Sequence, residues 1–191
     1  MDLSNDLRWH RLNKREWICP SCGEPHQGLF DLAARHPVQW PHGEEYEPNA
    51  ALRMDGDFLS EDFCVLRGEH FFVRSLLLLP IIGAEKPFGF GVWGTLSRVN
   101  FELYVDTFDG GVQGHLGPWF SWFSNELRSH PDTVNLKAQM HPRNGRQRPY
   151  LQIMTEDHPL AREQRDGITF DRVLDLYALY DHDIRAALGP A

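Results

Sequence analysis

Cysteine is scarce in this chain: among 191 residues there are three, Cys19, Cys22 and Cys64. So small and odd a number argues against a disulfide framework and fits a reducing compartment, so a cytoplasmic location is expected. Long apolar runs are missing too. The longest, residues 75–82, is interrupted by Pro80 and falls well short of the ~20 apolar residues of a membrane-spanning helix. It reads as a buried strand, and no membrane partner is expected. The opening Met1-Asp2-Leu3-Ser4-Asn5-Asp6 has neither a basic start nor an apolar stretch, so no secretory signal is expected. Positive charge is also in short supply: 19 Lys and Arg stand against 27 Asp and Glu, a formal net charge of -8. Nucleic-acid binding needs clustered cations that displace counterions, so no nucleic-acid partner is expected. The one basic cluster, Arg143-Asn144-Gly145-Arg146-Gln147-Arg148, is centred on an Asn-Gly hairpin turn and reads as a solvated loop tip in preference to an anion contact.

Against these absences stands one dense motif, Cys19-Pro20-Ser21-Cys22-Gly23-Glu24-Pro25-His26. The C-P-x-C-G form folds as a tight knuckle with both thiolates facing one metal ion, and Gly23 supplies the backbone freedom for the turn. Zinc takes four ligands at tetrahedral angles, with sulfur about 2.3 Å from the ion. Cys19 and Cys22 supply two, and Cys64 is the expected third. The fourth is open among His26, His70 and Asp62, in that order. A closed site of this kind is structural, so Zn2+ is expected as a structural cofactor. The alternatives are three reduced thiols, or a redox-active Cys19–Cys22 pair. The redox reading normally requires the motif at the start of a helix, where Gly23 and Pro25 do not belong.

The length suits one sizeable core. Residues 1–15 read as a tail or short helix anchored by Trp9 and Leu12, and residues 16–191 as a single α+β domain. Phe63–Leu66 and Phe71–Leu76 flank a turn and make two antiparallel strands. Residues 88–96 alternate glycine with bulky side chains and leave one strand face bare, to be filled by close packing or by a ligand. Ser97 caps a helix over 98–105 with Val99 and Leu103, joined by Phe101 and Val105, toward the core. Residues 133–140 and 148–155 make a second hairpin. Thr169 caps the closing helix, whose apolar positions run from Phe170 to Leu188. The expected architecture is an antiparallel β-sheet with flanking helices and an N-terminal zinc-knuckle hairpin.

Two further groups invite a functional reading. In the polar stretch 156–167, Pro159 opens a short helix, His158 or Asp157 caps it and Gly167 stops it. His158 and Glu163 are then either partners of backbone groups at a helix junction or an acid/base pair in a cleft. Trp93, Trp119, Phe120, Trp122 and Phe123 are core residues or, at an exposed edge, a partner surface.

Several stretches together resemble a bacterial family of unknown function, the one numbered 2199: C-P-S-C-G-E-P-H at 19–26, S-E-D-F-C-V-L at 60–66, H-F-F-V-R at 70–74, F-G-V-W-G-T-L-S at 90–97, W-F-S-N at 122–125 and D-H-P-L-A-R-E-Q-R-D-G-I at 157–168. The resemblance covers nearly all of the chain after residue 15. It implies a small bacterial cytoplasmic protein, favours Cys64 as partner of the knuckle, and brings no activity with it. The function expected is therefore that of a zinc-stabilised, non-enzymatic binding or interaction protein with a protein partner. The alternative is a hydrolase or transferase using His158 and Glu163, with Arg162 or Arg165 for an anionic substrate.

Overall fold

A computed structural model describes residues 3–14 and 16–190; Met1, Asp2 and Arg15 of the expected tail lie outside the described residues. In chain order the helices are α1 (Leu7–Lys14), α2 (Arg98–Phe108), α3 (Pro159–Asp166), α4 (Phe170–Leu179) and α5 (Arg185–Leu188). The strands are β1 (Trp17–Ile18), β2 (Pro25–His26), β3 (Leu32–Ala33), β4 (Phe58–Leu59), β5 (Phe63–Leu66), β6 (His70–Leu79), β7 (Phe88–Leu96), β8 (Trp119–Trp122), β9 (Lys137–His141) and β10 (Tyr150–Ile153). The class is α+β. Contacts divide the chain into two compact units, Met1–Leu32 with Leu78–Gly89 and Arg162–Ala191, and Ala33–Leu77 with Phe90–Ala161.

The second unit is built on the large sheet, ordered β3-β7-β6-β10-β9-β8, with β4 and β5 added beside β6. Its registers are antiparallel at β4–β5, β5–β6, β9–β10 and β8–β9, and parallel where Tyr150 of β10 meets Leu76 of β6. The β5–β6 hairpin is buried on both faces because its alternation is apolar twice over. Phe63 and Phe71 lie against Phe101 of α2, at 5.8 and 5.3 Å between ring centroids. Cys64, Leu66 and Phe72 point the other way and pack with Leu59 and Trp93. On the glycine face of β7 a Cβ on Gly89 would collide with the Asp31 carboxylate, and on the opposite face a Cβ on Gly94 would come within 2.6 Å of Ser121 Oγ and 3.0 Å of both Leu151 methyls, so neither glycine leaves open space.

Ser97 caps α2 as expected, its hydroxyl accepting from the Asn100 amide. Of the positions expected to face the core Phe101 does so, with Tyr104 beside it, while Val99 and Leu103 are exposed. The aromatic stripe is displaced around the helix from the aliphatic one, and the larger rings take the core because they bury more area.

The first unit packs α1 with α4. Leu12 is fully buried, as are Val173, Leu174 and Tyr177. Trp9 meets Phe170 edge-on at 5.1 Å, and Arg8 pairs with Asp171 at 2.8 Å. Thr169 caps α4, accepting from the Arg172 amide. Gly167, at φ +83°, stops α3 where a Cβ would meet Pro80 O at 3.1 Å, and the Ile168 amide then bonds that carbonyl. The helix expected to run through residue 188 ends at Leu179, a difference on which the candidate site depends.

Candidate metal centre

The knuckle forms where the sequence places it. Strands β1 and β2 pair antiparallel with Trp17 opposite His26 and Ile18 opposite Pro25. The loop between them is closed by Cys19 N–H donating to Glu24 O and Gly23 N–H donating to Cys19 O, both at 2.9 Å. Gly23 takes φ +75° to make that turn, a conformation costly for any residue with a Cβ. The thiols that result differ in exposure: Cys19 is buried and Cys22 exposed.

The third donor arrives from the other end of the chain. Helix α4 terminates in a Schellman arrangement, with Asp181 N–H donating to Ala178 O at 3.2 Å and His182 N–H donating to Tyr177 O at 2.8 Å. Asp181 holds the left-handed position at φ +65°. This reversal fixes the backbone of His182 and brings its Nδ1 to 3.6 Å from Cys19 Sγ. Among the described residues, the group of three or more His, Cys, Asp or Glu close enough to share a metal ion is Cys19, Cys22 and His182, with all donor atoms within 4.8 Å of one another. His26 adjoins this group, its Nε2 being 3.4 Å from Cys22 Sγ.

An aromatic stack holds both imidazoles. The Phe30 ring lies 4.5 Å from that of His26 and 4.3 Å from that of Tyr177, stacked on both, and meets His182 edge-on at 5.3 Å. Trp17 also stacks on His26 at 5.1 Å and meets Phe30 at 6.2 Å. The Tyr177 hydroxyl donates to Phe30 O at 2.7 Å and accepts from Phe30 N–H at 2.9 Å, so the ring at the centre of the stack has a fixed backbone. The electrostatics favour a thiolate at Cys19. Burial pushes its thiol up, but His182, the amides of Cys22 and Ser21, and the Cys22 side chain outweigh that and bring it down to about 7. Hydrogen bonds to the charged form are what make a buried thiol acidic.

The remaining expected site residues are placed elsewhere. Cys64, the expected third ligand, is a core thiol of the second unit, paired with Phe72 across β5–β6 and packed on Leu59, Leu66 and Trp93. Burial pushes this thiol well above the usual range, and the Asp57 charge adds to the shift. The third member of the group close enough to share an ion is His182 instead. His70 is exposed at the start of β6. Asp62 is occupied, accepting from Arg148 Nε at 3.2 Å and from Asn49 Nδ2 at 2.9 Å. His158 caps α3: its Nδ1 accepts from Leu160 N–H at 3.1 Å, which leaves the proton on Nε2, 3.1 Å from Pro131 O. Glu163 is paired with Arg172 at 2.9 Å, and Arg165 with Asp166 at 2.8 Å. His158 and Glu163 thus each have structural partners of their own.

The family model described as an uncharacterized protein conserved in bacteria, DUF2199, matches residues 18–168. The chain belongs to this family. No curated protein and no solved structure matches it. For this DUF2199 member the matched span takes in Cys19, Cys22, His26 and Cys64 and stops short of His182, the donor that sequence reasoning missed. Its only sequence signal is a histidine in Asp181-His182-Asp183, read as part of a continuing helix because no glycine marks the stop.

Proposed function

We propose that this protein binds one zinc ion through Cys19 Sγ, Cys22 Sγ, His26 Nε2 and His182 Nδ1, and that the metal is structural, clasping the N-terminal knuckle to the residue that follows α4. One observation carries the reading: the two sulfur–nitrogen pairs lie 3.4 and 3.6 Å apart. With zinc–sulfur near 2.3 Å and zinc–nitrogen near 2.0 Å, a tetrahedral edge between sulfur and nitrogen is about 3.6 Å. Two thiolates and two neutral imidazoles balance the ion's charge. Cys19, Cys22 and His182 already lie within 4.8 Å of one another, and His26, beside Cys22 but outside that group, closes the shell by moving toward the ion, which leaves no position for a reacting water. The acidic Cys19 suits a metal ligand and a redox cysteine equally. The two imidazoles beside the thiols favour the metal.

With a closed metal site, and with His158 and Glu163 held in structural contacts, binding is the function favoured over catalysis. Support for a protein partner comes from Phe120 and Trp122, 55% and 39% exposed on β8 and packed edge-to-face at 4.8 Å. Exposed aromatic pairs are common interface anchors. The testing experiment is elemental mass spectrometry on protein purified without a metal-affinity tag. About one zinc per chain is expected in the wild type and in Cys64→Ser, and none in Cys22→Ser or His182→Ala. A zinc-free wild type, or loss of zinc from Cys64→Ser alone, would overturn the reading.

A further inference from the structure

Three buried polar atoms of the second unit cluster in one place without partners. Tyr104 and Gln113 are both 0% exposed, and neither the Tyr104 hydroxyl nor either amide atom of Gln113 makes a hydrogen bond with good geometry. Folded proteins leave few such groups, and each one asks what satisfies it. Gln113 lies beside the Tyr104 hydroxyl, which also feels the charges of Asp62, Arg143 and Arg148. The surroundings carry surplus positive charge. Asp62 is neutralised by Arg148, whereas Arg143 bonds through Nε to Arg148 O at 2.7 Å and has no carboxylate partner among the described residues. Arg143 is half-buried, and a desolvated guanidinium without a counter-charge is costly. His141 stands nearby, its ring stacked on Tyr150 at 4.5 Å with its Nε2 buried and unpartnered.

The basic loop after β9 is therefore not the solvated tip expected of it. Asn144, Gly145, Arg146 and Gln147 are exposed, but Arg143 and Arg148 are drawn in. The loop is fastened from outside: Asn144 Oδ1 accepts from Gly114 N–H at 2.7 Å, Gly145 N–H donates to Gly111 O at 2.8 Å, and Arg146 donates twice to Asp109 O. These bonds tie it to the segment carrying Gln113, so the cluster is held ready before any ligand arrives.

We infer that Tyr104, Gln113, Arg143 and His141 form a binding site for a small-molecule oxyanion, a phosphate or carboxylate group held by the Arg143 guanidinium and by the Tyr104 and Gln113 donors. A trapped water would meet the hydrogen-bonding needs of Tyr104 and Gln113, but it would leave the charge of Arg143 unbalanced; an oxyanion meets both.

The test is melting temperature and isothermal calorimetry on the zinc-loaded full chain, titrated with inorganic phosphate and separately with acetate, ionic strength held constant with sodium chloride. Saturable binding of at least one anion is expected, and which one binds identifies the source chemistry. Arg143→Gln should weaken it about tenfold or more, the usual effect of losing a charge-assisted contact. Tyr104→Phe removes one hydroxyl that faces Gln113 without a well-formed hydrogen bond in the free protein. It should weaken binding severalfold while leaving the anion-free melting temperature unchanged or raised. No saturable response to either anion would overturn the inference. So would equal responses in wild type and Arg143→Gln, or a Tyr104→Phe protein that is less stable yet binds normally.

Discussion

Cys19 and Cys64 are both fully buried, yet their thiols move in opposite directions, Cys19 down to about 7 and Cys64 well above the ordinary thiol range. Burial acts on both in the same sense. What separates them is the company each keeps. Cys19 has two backbone amides, a second thiol and an imidazole turned toward its sulfur; Cys64 has Leu59, Leu66, Phe72 and Trp93. The first environment prepares a thiolate, and the second makes the cysteine a small hydrophobe. The number of cysteines in a chain is therefore a poor count of the thiolates available to a metal.

The sharpest way to break this contrast is to remove the metal. Chelation, or Cys22→Ser, should lower the melting temperature by about 10 °C or more, since structural zinc contributes several kcal/mol and each moves a domain of this size by ~2–4 °C. Differential scanning calorimetry with and without chelator reads it directly. Next in size, Cys64→Ser should cost ~1–3 kcal/mol by placing an unpartnered hydroxyl among apolar side chains, with zinc content unchanged. Denaturant unfolding beside a metal assay checks both halves of that statement.

A smaller effect appears with pH in the metal-free protein. The folded Cys19 thiol, at about 7, lies below its ordinary value of 9.0. Its contribution to stability is therefore full above pH 9, declines as pH falls, and is gone below about 7. Thiolate absorbance should show one midpoint near pH 7 that moves up in His182→Ala, while Cys64 stays protonated throughout. The smallest expected change is Asp181→Gly. Glycine relieves the positive φ at the end of α4 and should stabilise by ~0.5–1 kcal/mol while keeping the zinc. Destabilisation with loss of zinc would show that the Asp181 side chain itself is needed.

Much of the fold was legible where the signal is local. Ser97 and Thr169 were readable as caps because the bond they accept spans three residues. The β5–β6 hairpin, the glycine strand β7, and Pro159 and Gly167 as bounds of α3 follow from equally short-range rules. Strand β8 was not foreseen: Trp119-Phe120-Ser121-Trp122 reads as an aromatic cluster, and its pairing with β9 is set by residues 15 and more positions away. Three of the four proposed donors were legible for the same reason. Cys19, Cys22 and His26 belong to one hairpin. His182 did not declare itself, because the reversal that brings it in turns on an aspartate in a conformation usually given to glycine. Cys64 was drawn into the expected site by the number of cysteines and by the family resemblance, with no spacing to support it.

X-ray absorption at the zinc edge on the protein as purified tests the central claim most directly. The account predicts a four-coordinate ion with two sulfurs at about 2.3 Å and two imidazole nitrogens at about 2.0 Å. A shell of three sulfurs would restore Cys64 to the site, and a protein without zinc would contradict the account altogether.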